Sequence, residues 1–397
     1  MKIDWIAGGV TAPQGFRAGA VYGGIAGKPD KPDIAVLCAD TLCAAAAVCT
    51  TNKVKAAPVK LTEAKLASGH ARALVVNSGC ANAFTGQAGF DDASEMAAQT
   101  ARKLDIDAGQ VLVASTGIIG EFLPMVRVRA AIKRIVLKED GGGELARAIM
   151  TTDTVPKEAA VKAAGFTVGG VAKGAGMIHP NMATMLAFIT TDAAVAPDYL
   201  RRALRVAVDD SFNMISVDGD TSTNDTVLVM ASGLAGNAEI NDESGLGAVF
   251  QESLSAICAY LAKSIVRDGE GATRLMEFTL RGALNLDEAR HGARVVVTSP
   301  LVKAAVHGSD PNWGRIVAAL GRSGIALEET KLDISVGDIR MVAGGSRVDY
   351  DEAAVSRLLS MDEVFLSVDL NLGEAEATAW GCDLSPEYAN INSEYTT

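Results

Sequence analysis

Residues Lys173 to Leu186 read KGAGMIHPNMATML and lead into the apolar run MLAFIT. Gly174, Gly176 and Pro180 favour a tight, irregular loop. The apolar run after it suits a buried strand. The hydroxyl residue at this junction is Thr184, preceded by the small Ala183. Threonine before an apolar run is ordinarily a strand residue, because β-branched side chains suit a pleated surface. The same junction also suits self-cleavage. Attack by the Thr184 hydroxyl on the Ala183 carbonyl would free Thr184 as a new N-terminus. An α-amino group titrates near ~8, so it can serve as the base for its own hydroxyl. On spacing alone both readings stand.

Outward from this junction the pattern is mixed. Short apolar runs predict strands at 73–78, 111–115, 185–190 and 226–232. Helical periodicity appears at 91–105, where Asp91 or Asp92 would cap, at 198–212 and at 246–266. Gly141 to Gly143 read as a loop between two helical segments. After Arg274 the elements shorten, and 332–336 and 364–370 alternate like half-exposed strands. Strands and helices interleave without a clean βαβ repeat, and no GxGxxG follows a strand in dinucleotide-binding context. The fold class is α/β (α+β), in layers.

Composition narrows the function classes. The 397 residues are 49% hydrophobic, enough for a sizeable core. The net charge of −12 with no long basic run argues against nucleic acid and anionic membrane as partners. Six cysteines and four histidines lack metal-ligand spacing, so no metal is expected and the thiols read as reduced and mostly buried. The N-terminus lacks an apolar segment of signal-peptide length, and no run is long enough to span a membrane. The expected compartment is the cytoplasm.

Several further motifs stand in order along the chain: GGVTAPQGF (Gly8 to Phe16), NSGCANAFTG (Asn77 to Gly86), STGIIG (Ser115 to Gly120) and TTDTVPK (Thr151 to Lys157). After the junction come SFNMISVDGDTSTNDT (Ser211 to Thr226), DGEGATR (Asp268 to Arg274), GSDPNWGRI (Gly308 to Ile316) and YANINSEYTT (Tyr388 to Thr397). Together with KGAGMIHPNMATML they resemble the glutamate N-acetyltransferase (ornithine acetyltransferase) family over the whole chain. Cys80 and His179 are small departures from its pattern.

The resemblance implies a layered α-β-β-α sandwich with a smaller C-terminal α+β domain. It implies a nucleophile domain of residues 1–280, cut between Ala183 and Thr184, and a second domain of 281–397. Fragments 1–183 and 184–397 would stay associated, two of each forming a heterotetramer. The implied activity belongs to arginine biosynthesis: acetyl passes from N-acetylornithine to glutamate through an acetyl-Thr184 intermediate. No cofactor is implied, although acetyl-CoA is a possible co-substrate in bifunctional members.

Site residues carry over by motif. Thr116 and Gly117 map onto the oxyanion hole, although on pattern alone STGIIG is a strand-to-loop turn. Lys173, otherwise a solvated lysine near glycines, would hold an α-carboxylate. Thr151 or Thr152 would supply a substrate hydroxyl. Glu270, otherwise a turn residue, would meet a substrate ammonium. Asn392 and Thr397 would line the site, which requires the tail to fold back rather than fray. SVDGDTSTND (Ser216 to Asp225) reads as a structural loop near the nucleophile strand. In DPNWGR, Trp313 and Arg315 are placed to stack. Two other readings compete with transfer. One is an amidase or aminopeptidase with the same threonine nucleophile. The other is an uncleaved protein that binds a small anion or nucleotide.

Overall fold

The computed structural model describes residues 3–27, 31–178 and 185–394. The first strands are β1 (Asp4–Ile6), β2 (Phe16–Val21), β3 (Ile34–Cys49), β4 (His70–Asn77) and β5 (Val111–Ser115). The helices among and after them are α1 (Ala57–Lys65), α2 (Gly86–Leu104), α3 (Met125–Arg134) and α4 (Gly142–Ile149). Then come β6 (Lys157–Ala163), β7 (Phe166–Lys173), β8 (Leu186–Thr191), α5 (Pro197–Asp209), β9 (Ile215–Ser216), β10 (Thr226–Ala231) and α6 (Gly247–Arg267).

Among the described residues nine strands share one hydrogen-bonded sheet, yet they build two layers. The long strand β3 belongs to both. Its first half pairs with β2 and β4, and its last six residues pair with β10. Between Cys38 and Cys43 the register with β4 slips, so the strand carries a bulge where it passes from one layer to the other.

Side-chain parity shows the layering. Leu37, Leu74, Val76 and Leu112 from one layer meet Leu186, Phe188, Leu228 and Met230 from the other. The opposite parity points outward. Val36, Val75 and Val113 pack on α2 and α3, and Val168, Ile189 and Val229 pack on α5 and α6. The order is therefore helix, sheet, sheet, helix, the sandwich expected from the resemblance. Phe188 is fully buried between the layers. Phe188→Ala should cost about 3–5 kcal/mol through lost transfer energy and a cavity. A urea midpoint equal to that of the wild type would contradict this placement.

The remaining elements are β11 (Leu275–Ala283), α7 (Leu286–Val297), α8 (Pro300–His307), α9 (Trp313–Gly321), β12 (Asp333–Val336), β13 (Ile339–Ala343) and β14 (Ser346–Arg347). They end with α10 (Glu352–Leu359), β15 (Glu363–Asp369), β16 (Ala375–Cys382) and α11 (Pro386–Glu394). Among the described residues seven strands form a second sheet, in the order β14-β13-β12-β15-β11-β16-β9. The short β9 comes from the sandwich side of the chain and pairs with β16. One core runs from α6 into Met276, Phe278 and Leu280 of β11. The expected boundary at 280/281 falls inside β11.

Some local expectations need correction. The helix expected at 91–105 starts at Gly86, and neither Asp91 nor Asp92 caps it. Tertiary hydrogen bonding overrides the poor propensity of Gly86 and Gly89, since Asn82 Nδ2 donates to the Gly89 carbonyl at 2.8 Å. Gly142 and Gly143 are not loop but the first turn of α4. A Cβ on Gly141, which precedes them, would sit 1.9 Å from the Ala18 carbonyl oxygen, so the helix start presses on β2. All six cysteines are free, five of them buried. Among the described residues no helix is long and apolar enough to cross a membrane.

Candidate active site

A cavity of about 300 Å³ opens at the C-terminal ends of β4, β5 and β7. Seven separate stretches of chain and the last helix line it. Thr116 and Gly117 follow β5, Thr151 and Thr152 follow α4, and Lys173 ends β7. Glu270 follows α6, and Asn392 reaches in from α11. The described residues expected in the site thus meet around one space. Ala183, Thr184 and Thr397 lie outside the described residues, as do His179 and Pro180.

The Thr-Gly pair after β5 is held from behind. The Thr116 N–H donates to the Asn77 carbonyl at 3.0 Å, so its backbone donor is already used. Its hydroxyl accepts from Lys173 Nζ at 3.4 Å, which leaves the hydroxyl proton to donate. Gly117 sits at φ +131°, and a Cβ there would lie 2.3 Å from the backbone of Gly79. Only glycine fits this approach. The Gly117 N–H has no hydrogen-bond partner among the described residues. A hydroxyl and an adjacent free N–H can stabilise a developing oxyanion.

Lys173 is fully buried, and its burial pulls the pKa down against the carboxylate of Asp153. Asp153 ties two of the motifs together. Its oxygens accept from Gly174 N–H at 2.6 Å, Thr151 N–H at 3.0 Å and Lys157 Nζ at 2.7 Å. Lys157 also bonds Asp268 at 2.5 Å, so TTDTVPK and DGEGATR share one buried ion network. Burial alone would push the Asp153 carboxyl up, but Lys173, Lys157 and the Gly174 N–H together hold it at about 2.

That depression sets the direction of a pH effect. An unfolded Asp titrates near ~4. The stabilisation is therefore full above about pH 4 and is lost as pH falls toward about 2. Asp153→Asn should flatten the acid limb of a stability–pH profile in that window. An unchanged slope in the variant would contradict the assignment.

Two more carboxylates shape the ends of the glycine-rich loop. Asp218 accepts from Met177 N–H at 2.5 Å, Ile178 N–H at 2.8 Å and the Tyr388 hydroxyl at 3.3 Å. Asp225 accepts from Met185 N–H at 2.9 Å, at the residue bonded to Thr184. Asp225 is fully buried, and burial pushes its carboxyl well above the ordinary range despite Lys173 nearby. Its hydrogen bond to the Met185 N–H fixes the start of β8.

Helix α11 folds back over the cavity. Asn392 Nδ2 donates to Glu270 Oε2 at 2.8 Å, and Ser385 Oγ donates to the Gly271 carbonyl at 2.6 Å. The Glu270 N–H donates to the Ala175 carbonyl at 2.8 Å, joining the DGEGATR loop to the KGAGMI stretch.

The loop at Ser216 to Asp225 does more than the sequence suggested. Asp218, Asp220, Ser222, Thr223 and Asn224 line the cavity, while Asn224 Nδ2 also donates to the carbonyls of Ala81 and Ser115. Its acids were the visible signal. Lys31 and Tyr388 also line the cavity, and no local motif marked Lys31. DPNWGR takes no part in the cavity. Arg315 donates to the Leu301 carbonyl at 2.9 Å and pairs with Asp310 at 3.7 Å.

Residues 17–397 match the family model described as the ArgJ family. The chain belongs to the ArgJ family. It is 53% identical over 402 residues to the arginine biosynthesis bifunctional protein ArgJ of Symbiobacterium thermophilum, covering 100% of both chains. It is 51% identical over 395 residues to the protein of that name from Dehalococcoides mccartyi, covering 98% of each. The crystal structure of the Bacillus halodurans arginine biosynthesis bifunctional protein argJ is 43% identical, with a TM-score of 0.51. That alignment covers 52% of this chain and 97% of the solved chain.

Proposed function

We propose that this chain is a self-cleaving acetyltransferase of arginine biosynthesis that moves acetyl from N-acetylornithine to glutamate. The observation that carries it is the convergence of Thr116, Gly117, Lys173, Glu270 and Asn392 on one amino-acid-sized cavity. The full-length relatives carry the arginine-biosynthesis name, which sets aside the amidase and the anion-binding alternatives. The Bacillus halodurans solved chain is about half as long as this one, the length expected of one fragment of a cut chain.

In this reading the Thr184 hydroxyl first attacks the Ala183 carbonyl. The bond between Ala183 and Thr184 breaks, and water completes the cut. The freed amine then takes the hydroxyl proton as Thr184 Oγ attacks the acetyl carbonyl of N-acetylornithine. The acetyl C–N bond breaks, the proton passes to the departing ornithine nitrogen, and acetyl remains on Oγ as an ester. The amine of glutamate attacks that ester, and Oγ recovers a proton. The Thr116 hydroxyl and the Gly117 N–H serve each oxyanion in turn. Lys173 and the threonines of TTDT hold the amino acid, and Glu270 with Asn392 and Thr397 closes the far end. The fragments stay paired, because the cut precedes a strand buried in the core. The proposal extends to a heterotetramer in the cytoplasm and to acetyl-CoA as a second donor.

Intact-mass analysis under denaturing conditions tests it. The expected result is two fragments ending and starting at Ala183 and Thr184, with the Thr184 fragment gaining one acetyl group from N-acetylornithine. A single chain that takes up no acetyl would overturn the reading. Acetylglutamate formed from acetyl-CoA without acetylornithine is the expected sign of the second donor.

A further inference from the structure

The two substrates proposed for the cavity differ in side-chain charge. N-acetylornithine brings one carboxylate and a side-chain ammonium. Glutamate brings two carboxylates. Both must place the α-carbon near the same acetyl-carrying hydroxyl, so both share the group that holds the α-carboxylate. The γ-carboxylate of glutamate then needs a second cation.

Among the described residues the cavity wall carries two cations, Lys31 and Lys173, against three carboxylates, Asp218, Asp220 and Glu270. Lys173 lies deep, bonded to Thr116 beside the oxyanion pair, where an α-carboxylate would sit. The acids suit the ornithine ammonium and would repel a γ-carboxylate. Lys31 is the remaining cation. It is only half-buried, and its ammonium bonds the Met150 carbonyl, the residue before Thr151. That contact holds the head group at the cavity wall.

We propose that Lys31 determines acceptor specificity by receiving the γ-carboxylate of glutamate. This rests on the transferase reading above. One cavity thereby serves two side chains of opposite charge: the acids take the donor's ammonium and Lys31 takes the acceptor's carboxylate. An ammonium–carboxylate hydrogen bond in a partly closed site is worth a roughly tenfold to hundredfold difference in binding.

The test uses the purified, full-length protein and separates the two half-reactions. Lys31→Met should raise KM for glutamate roughly tenfold to hundredfold and erase the preference for glutamate over glutamine. Acetyl-enzyme formation from N-acetylornithine alone, followed by mass, should proceed as in the wild type. Lys31→Arg should restore most of the glutamate KM. Lys31→Gln answers the same question should the methionine variant not fold. An unchanged glutamate KM would overturn the proposal. Equal loss in both half-reactions would also overturn it, since Lys31 would then hold a part common to both substrates. Wild-type protein that forms no acetyl-enzyme defeats the transferase reading itself, and this proposal with it.

Discussion

Thr184→Ala is expected to yield one uncut 397-residue chain with no measurable acetyl transfer. The substitution removes the hydroxyl that cuts the chain and, because no cut follows, the free amine that would act as base. Both parts of one catalytic unit vanish together, so the loss should exceed ~10⁴-fold in rate. The fold should survive. Asp225 bonds the N–H of Met185, and Leu186 to Thr191 pair with β7 and β10 through their backbone. A melting temperature within a few degrees of the wild type should therefore accompany the loss. Thr184→Ser, which keeps a hydroxyl, should still cut. A Thr184→Ala protein that arrives in two pieces or transfers acetyl would refute the mechanism.

Gly117→Ala carries the second-largest expected effect. Its Cβ would lie 2.3 Å from the Gly79 carbonyl carbon and 2.5 Å from the Cys80 nitrogen, both backbone atoms. Neither can swing aside as a side chain would. The φ of +131° adds strain for any residue with a Cβ. The turn must move, and with it the Gly117 N–H and the neighbouring Thr116 hydroxyl. Loss of one oxyanion donor lowers kcat by roughly 10²–10³-fold, and displacement of two should do at least as much. Self-cleavage also passes through a tetrahedral oxyanion and should slow as well. Thr116→Val isolates the hydroxyl and should show the smaller part of the loss with little change in KM. A folded Gly117→Ala enzyme with wild-type kcat would show that this turn is not the oxyanion site.

Much of the site was legible because its pieces are local. STGIIG marks a strand that ends at a glycine turn, and that is where Thr116 and Gly117 stand. KGAGM marks a strand end followed by close backbone contacts, and Lys173 ends β7 there. By contrast, the longest strand escaped notice. IAVLCADTLCAAAAVC is buried on both faces over most of its length, so the two-residue alternation that reveals a half-exposed strand is missing. The acidic loop at Ser216 to Asp225 was visible, but its direction was not. Asp218 and Asp225 act by bonding the ends of a loop some forty residues away in sequence.

By itself, the sequence determined the order of motifs, the α/β layering they imply and the identities of the hydroxyl, ammonium and carboxylate groups available for acyl transfer. These follow from residue type and short-range spacing, which the chain carries in one dimension. Only the tertiary structure decided that Lys31, Lys173, Asp218, Asp220 and Glu270 face one space, and that α11 returns to cover it. It also decided that Thr116 offers its hydroxyl and not its N–H, and that burial raises the Asp225 carboxyl while the lysines beside Asp153 lower that one. Protonation state and donor availability depend on burial and on partners brought from distant segments. Those distances exist only once β3 has bent the sheet over itself and brought the strand ends together.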